Sequence, residues 1–322
     1  MKRKIVLTRR WPSDVENALA ELYDCEFNVS DEQFSKLQIQ DALQSADALL
    51  TTVTDNLDAG TIVVPDLRAG IVANYGVGVS HIDIEAAKQN GLAVTNTPDV
   101  LSDCTADIAM TLLLMAARRA GEGERELREG RWTGWRPTHM IGSRVSDKTL
   151  GIIGFGRIGQ AMAKRAHFGF GMDIKVFNRS RVADSVLASC KAVQVASIDE
   201  LMQQADFISL HCPGGEQNRH LINAERIDAM KDTSFLINTA RGEVVDDDAL
   251  IAALTAGKIA GAGLDVFNNE PDFDRRYLQL DNAVLLPHLG SATRETRDAM
   301  GYRVMSNLKQ FFTGQEPSDR VA

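Results

Sequence analysis

From Thr149 the chain runs through the apolar stretch Thr149-Leu-Gly-Ile-Ile153 and turns on three glycines, Gly154-Phe-Gly156-Arg-Ile-Gly159. A helix-compatible segment, Gln160-Ala-Met-Ala-Lys164, follows at once. Few folds place a Gly-x-Gly-x-x-Gly turn between a buried strand and a helix. A turn without side chains lets a pyrophosphate approach the backbone, where the first N–H groups of the helix and its dipole favour negative charge. A second strand-like run, Ile174-Lys-Val-Phe177, arrives at the spacing of a dinucleotide-binding unit. On this reading Gly154, Phe155, Gly156, Arg157, Ile158 and Gly159 form the cofactor turn.

A length of 322 residues predicts two domains, and a composition 44% hydrophobic and 25% charged is that of a soluble globular protein. The net charge of −9 opposes a nucleic-acid or anionic-membrane surface, which would repel the chain at long range. Cys25, Cys104, Cys190 and Cys212 are scattered without metal-ligand or redox spacing, and the six histidines show no paired helical spacing, so no metal is expected. After the basic Met1–Lys4 only Ile5-Val-Leu7 is apolar, too short for a signal-peptide core. The longest apolar stretch, Ile108 to Ala117, is about half of a membrane span. A cytoplasmic protein is expected.

Strand-like runs recur at Ile5–Leu7, Phe27–Val29, Ala48–Thr52, Gly70–Ala73 and Leu92–Thr95, separated by polar or helix-like segments such as Ser13–Leu22 and Asp83–Gln89. A helical stretch from Ser102 to Arg119, closed by Gly121 and Gly123, reads as a bridge, and Trp132 to Ser146 shows no periodicity. Strands resume at Thr149–Ile153, Ile174–Phe177, Phe207–Leu210, Phe235–Ile237, Gly261–Leu264 and Val284–Leu286. The segment Arg294 to Phe312 is again helical in period, with Met300, Val304 and Leu308 on one face. The alternation predicts an α/β fold of two doubly wound parallel-sheet domains. A Rossmann dinucleotide-binding domain, 100–287, is inserted into a flavodoxin-like substrate domain made of 1–99 and 288–322, with the chemistry expected in the cleft between them.

An NAD-selecting site normally ends its second strand in Asp or Glu, which accepts hydrogen bonds from the ribose. Here Asn178 stands at that position, followed by Arg179, Ser180 and Arg181, two guanidinium groups and a hydroxyl suited to a ribose 2′-phosphate. NADP(H) is therefore the expected cofactor, with NAD(H) also possible.

Arg241, Glu270 and His288 each follow a predicted strand end. A guanidinium fork can hold a carboxylate by two charge-assisted bonds while polarising an adjacent carbonyl. Histidine can deliver a proton near neutral pH as hydride reaches the carbon, and a neighbouring carboxylate would fix the ring and favour its charged form. Arg241 is the candidate substrate anchor, His288 the proton donor and Glu270 its partner.

The ordered segments Gly151–Gly159, His211-Cys-Pro213, Asn238-Thr-Ala-Arg-Gly242, Gly263-Leu-Asp-Val-Phe267 with Glu270-Pro271, and Pro287-His-Leu-Gly290 resemble the D-isomer-specific 2-hydroxyacid dehydrogenase family over nearly the whole chain. The resemblance implies that Arg241 binds substrate, His288 is the acid/base and Glu270 supports it. Thr239, Ala240, Asp265, His288 and Gly290 would lie near the nicotinamide, Cys212 and Pro213 would line the cofactor site, and Thr105 would touch the cofactor. The loop Asn74-Tyr-Gly76-Val77-Gly78-Val-Ser80 matches the family's substrate loop, where N–H groups around Val77 and Gly78 receive a carboxylate, and Val53 would bound the pocket. Gly130-Arg-Trp132-x-x-Trp135-Arg-Pro137 is similar to a segment of the glyoxylate/hydroxypyruvate reductases. There the second tryptophan reaches the neighbouring subunit's substrate pocket, so a homodimer is implied, with Trp135 alternatively packed in its core.

The expected reaction is NADPH-dependent reduction of glyoxylate or hydroxypyruvate to the 2-hydroxy acid. Formate dehydrogenases pair histidine with glutamine, where this chain has Glu270. Phosphoglycerate dehydrogenases usually favour NAD, and many carry a regulatory domain for which there is no room after Phe312. Reduction of pyruvate or 2-ketogluconate stays open. So does a dinucleotide-sensing corepressor-like binding protein, which would need a partner groove and often has disordered tails.

Overall fold

The computed structural model describes all residues, Met1–Ala322. They form two compact units, Met1–Leu101 with Ala292–Ala322, and Ser102–Ser291. His288, expected at the start of the returning segment, lies in the second unit.

The first unit contains five parallel strands: β1 (Lys4–Leu7), β2 (Asp24–Glu26), β3 (Ala48–Thr51), β4 (Ile71–Asn74) and β5 (Ala93–Thr95), in the order β2-β1-β3-β4-β5. Its inner strands are near-continuous apolar runs because helices cover both faces of a parallel sheet. Ile5, Val6, Leu7, Leu49, Leu50, Ile71 and Val72 are all buried. The helix Lys36–Ser45 starts on a capping box in which Ser35 and Gln38 satisfy each other's backbone N–H groups. The helix Arg294–Phe312 buries Met300, Val304 and Leu308 as expected. A Cβ at Gly301 would come within 2.5 Å of Val15, so this helix and Ser13–Leu22 meet over bare backbone.

One strand falls elsewhere than expected. The second strand is Asp24–Glu26, not Phe27–Val29. It is an edge strand, paired only with β1 through Lys4↔Asp24, Ile5↔Cys25 and Val6↔Glu26, and its exposed side chains carry no apolar pattern. Backbone register decides its place.

The second unit contains β6 (Thr149–Ile153), β7 (Asp173–Phe177), β8 (Ala192–Gln194), β9 (Phe207–Leu210), β10 (Phe235–Asn238), β11 (Gly261–Leu264) and β12 (Ala283–Leu285), all parallel, in the order β12-β11-β10-β9-β6-β7-β8. β8 has no counterpart in the sequence reading; it is a three-residue edge strand with Val193 exposed. The bridging helix ends at Ala117, because Arg119 adopts a left-handed φ of 53°, and a second helix, Ala120–Arg128, contains the Gly121 and Gly123 expected to close the first. No helix is long and apolar enough to cross a membrane.

Register across this sheet aligns its carboxyl ends. Ile153, Leu210, Asn238, Leu264 and Leu285 form one row through consecutive pairings of β6, β9, β10, β11 and β12. The strand order reverses between β6 and β9, the switch point at which open α/β sheets bind ligands. The helix Ser102–Ala117 packs onto β11 closely enough that a Cβ at Gly263 would lie 2.8 Å from the Leu112 Cβ.

Candidate active site

Two of the three turn glycines, Gly154 and Gly159, have steric reasons within the chain. Gly154 has a φ of +91°, and a Cβ there would meet the Cys212 N at 2.6 Å. Gly156 caps the helix Arg157–Phe170 without a side-chain bond and faces open space, where a phosphate can reach the first N–H groups. A Cβ at Gly159 would lie 2.4 Å from the Gly154 carbonyl, so only glycine lets the helix sit this close to β6. Ile158 and Arg157 occupy the first turn of that helix. Phe155 is buried, and its N–H donates to the Asn178 Oδ1 at 3.2 Å, so this amide is already used within the chain.

Asn178 follows β7 and holds the next turn. Its Nδ2 donates to the Ser180 carbonyl and hydroxyl at 3.1 and 3.0 Å. Arg179 donates to the Gln217 Oε1 at 2.5 Å, and the exposed Arg181 stands 3.3 Å from Asp184. The turn thus presents two guanidinium groups and places no Asp or Glu at position 178.

The catalytic candidates follow three adjacent strands. Arg241 stands three residues beyond β10, Asp265 one beyond β11 and His288 three beyond β12, and Glu270 lies on the loop after β11. The His288 Nδ1 and Glu270 Oε2 are 2.7 Å apart. The other Glu270 oxygen accepts the Phe267 N–H at 2.8 Å. Burial pushes the Glu270 carboxyl up, but His288, the Phe267 N–H and the positive charge of Arg241 outweigh it and hold it below the usual range. His288 has a left-handed φ of 55°, a strained backbone for a non-glycine residue, secured by its N–H to the Asp265 carbonyl at 2.9 Å.

Burial lowers the Arg241 guanidinium, partly offset by the charges of Glu243 and Glu270. Its Nη1 donates to the Ala240 carbonyl at 2.7 Å, and no carboxylate stands within ion-pair distance of it. An incoming carboxylate would therefore find this fork without a direct ion-pair partner. Asp265 is buried, accepting the Leu289 N–H at 2.7 Å and the Gly290 N–H at 2.8 Å, which folds the segment after His288 back onto β11. Burial raises its carboxyl against these bonds and the His288 charge.

The remaining cofactor candidates border the same sheet end. Thr239 and Ala240 are buried, and the Thr239 hydroxyl has no hydrogen-bond partner, an orphan that a bound polar group would satisfy. Thr105 donates to the Gly290 carbonyl at 3.2 Å. Cys212 is half-buried, its thiol pushed up to about 11 by burial, and Pro213 is exposed. The glycine turn, the orphan Thr239 hydroxyl and the open N-terminus of Arg157–Phe170 fit a dinucleotide. No three His, Cys, Asp or Glu side chains gather as metal donors.

Three residues beyond the sequence candidates shape this site. Asn238, at the end of β10, accepts the Ala240 N–H at 3.0 Å and donates to the Arg241 carbonyl at 2.9 Å, setting the turn that aims Arg241. Glu243 accepts the Gly215 N–H at 3.0 Å. His211 bonds Ser209 through Nε2 at 2.9 Å, while its Nδ1 is closed off without a partner; burial pushes the ring down to about 4. A polar residue closing an apolar strand run was the available signal for Asn238 and His211.

In the first unit, Val53 follows β3, and its Cγ1 would lie 3.2 Å from a Cβ at Gly76. Val77 and Gly78 follow β4, half-buried, and their N–H groups have no acceptor within the chain. Trp135 lies in the irregular stretch after Ala120–Arg128 and is 82% exposed.

Residues 110–290 match the family model described as D-isomer specific 2-hydroxyacid dehydrogenase, NAD binding domain. The whole chain is 42% identical to the glyoxylate reductase of Thermococcus litoralis, of which it covers 97%, and 38% identical to the glycerate dehydrogenase of Hyphomicrobium methylovorum, of which it covers 99%. It superimposes with a TM-score of 0.89 on an NADPH-dependent glyoxylate/hydroxypyruvate reductase from Sinorhizobium meliloti crystallised with NADP and malonate. The identity is 32%, and 100% of this chain and 97% of that one are covered. With the glycine turn, the Glu270–His288 pair and Arg241 set at one sheet end, the chain belongs to the D-isomer-specific 2-hydroxyacid dehydrogenase family.

Proposed function

We propose that the protein reduces small 2-oxo acids, glyoxylate and hydroxypyruvate foremost, with NADPH as the preferred reductant. The observation that carries this reading is the 2.7 Å His288–Glu270 pair with Arg241 close enough for its charge to act on Glu270. The names of the relatives from Thermococcus litoralis and Sinorhizobium meliloti support the substrate class.

The His288 Nδ1 is engaged by Glu270, so the proton to be transferred resides on Nε2. The Glu270 carboxylate accepts from Nδ1 and fixes the plane of the ring. Arg241 holds the substrate carboxylate and draws electron density from the adjacent carbonyl oxygen. A reduced nicotinamide, when bound, would supply hydride to C2; His288 would give its Nε2 proton to the carbonyl oxygen, yielding the 2-hydroxy acid. The first unit offers its own carboxylate donors, the Val77 and Gly78 N–H groups, with Val53 near Gly76, which supports its reading as the substrate-binding domain.

For the cofactor, Arg179 and Arg181 supply positive charge and Ser180 a hydroxyl beside Asn178, an arrangement that suits a 2′-phosphate. The exposed Trp135 is assigned to the interface of a homodimer. A spectrophotometric assay of NADPH and NADH oxidation with glyoxylate, hydroxypyruvate, pyruvate and 2-ketogluconate tests the reading. The two small acids with NADPH should give the highest kcat/KM. A clear preference for NADH overturns the cofactor assignment, a preference for a bulkier acid overturns the substrate, and binding without turnover identifies a sensor.

A further inference from the structure

We propose that Asn74 and Asn96 are positioning residues that turn the Gly76–Val77–Gly78 backbone into a carboxylate receptor. The inference rests on the substrate role of this loop given above and names the groups that create it. In a trans peptide the carbonyl and the following N–H point in opposite directions, so whatever captures a carbonyl also aims the next N–H. Three consecutive carbonyls of the loop are each captured by a donor of the chain.

The Asn74 Nδ2 donates to the Gly76 and Gly78 carbonyls, both at 3.1 Å, the Thr97 N–H donates to the Gly76 carbonyl at 3.0 Å, and the Asn96 Nδ2 donates to the Val77 carbonyl at 2.9 Å. The Gly76 carbonyl shares a peptide with the Val77 N–H, and the Val77 carbonyl shares one with the Gly78 N–H. Those two N–H groups make no bond within the chain. Each is left pointing away from the donor that holds its carbonyl, open to an anion.

Asn74 is fully buried, and its amide orientation follows from the two carbonyls, which only accept and so require Nδ2; Oδ1 is left to accept from the His81 Nε2 at 3.2 Å. Asn96 is fixed through its backbone. Its N–H donates to the Asp319 carbonyl at 3.2 Å, and its own carbonyl accepts the Asn307 Nδ2 at 3.2 Å. Asp319 is itself clamped by both nitrogens of the Arg303 fork, at 2.6 and 2.7 Å. Support for the loop therefore extends to the last residues of the chain.

The test uses the intact protein with Asn96→Asp, nearly isosteric but presenting an acceptor where the Val77 carbonyl needs a donor, and Asn74→Ser as a second variant. For Asn96→Asp the KM for glyoxylate should rise about 10- to 100-fold, with kcat, the NADPH dissociation constant and the melting temperature little changed. A merely structural role would lower the melting temperature and kcat together and leave KM in place, and that result overturns the proposal. Crystal structures of the wild type and Asn96→Asp give a readout independent of turnover. The Val77–Gly78 peptide should be reversed in the variant, and an unchanged peptide overturns the positioning role. A wild type inactive on every 2-oxo acid instead overturns the proposed function, and the peptide orientation still decides the role of Asn96. If Asn96→Asp does not fold, Asn74→Ser is read in the same two ways.

Discussion

The ends of β10, β11 and β12 and the loop after β4 offer similar chemistry by opposite means. At the former, Arg241, Glu270 and His288 contribute side chains, and the backbone only presents them. At the latter, in the proposed receptor, Val77 and Gly78 would contribute the backbone itself, and side chains, Asn74 and Asn96, hold its carbonyls. Side-chain chemistry requires particular residue types at the functional positions. Backbone chemistry moves that requirement to supporting residues that touch no ligand.

The comparison is broken most directly at His288. His288→Ala should lower kcat about 10²- to 10⁴-fold, with NADPH binding measured by fluorescence unchanged. Retained turnover would mean that the proton comes from another group.

Acid stability sharpens the contrast, because the second unit buries an ionisable group beside its cofactor residues whereas the amides of Asn74 and Asn96 cannot titrate. His211 is held down to about 4, below the histidine value of 6.5, so the unfolded chain binds the extra proton between these values. This contribution is whole above 6.5 and is lost as pH falls toward 4, about 3 kcal/mol in total. Urea unfolding from pH 7 to 4.5 should show that loss in the wild type and a flatter profile in His211→Gln; parallel profiles would exclude His211 as its source.

The glycine turn is where the second unit, too, relies on backbone. Gly159→Ala would force a Cβ to within 2.4 Å of the Gly154 carbonyl. It should cost about 1–3 kcal/mol of stability and weaken NADPH and NADH alike, as melting curves and titrations would show. Smaller still is the effect at the exposed turn after β7. Replacing Arg179 and Arg181 together by alanine should raise the KM for NADPH about 10-fold, with that for NADH unchanged, and equal effects on the two cofactors would remove the phosphate assignment.

The same contrast explains what could be read from the chain beforehand. The glycine turn, the inner strands and the helices Ser13–Leu22 and Arg294–Phe312 follow from local patterns, because each buries a periodic apolar face or tolerates no side chain. The edge strands were the weak points. Asp24–Glu26 and Ala192–Gln194 are short and partly exposed, held by backbone pairing to one neighbour, which leaves little trace in residue type. The helix break at Arg119 was likewise masked, since Gly121 and Gly123 resemble terminators but lie inside the next helix. Arg241, Glu270 and His288 were legible as reactive types after strand ends, and the structure brings them to one end of the sheet. Asn238, Asn74 and Asn96 were not, because an asparagine that satisfies buried backbone is indistinguishable in sequence from one in any turn.

The aligned row Ile153, Leu210, Asn238, Leu264 and Leu285 has a consequence for how such a chain can vary in length. Arg241, Asp265 and His288 hang one to three residues beyond that row. Insertions where helices lead back into strands, at the opposite end of the sheet, would leave their spacing intact. A single residue gained or lost inside β10, β11 or β12 would turn the strand's side chains to the other face and carry the reactive group out of reach of its neighbours. Tolerance to insertion is thus polar along the sheet axis, permissive where strands begin and strict where they end.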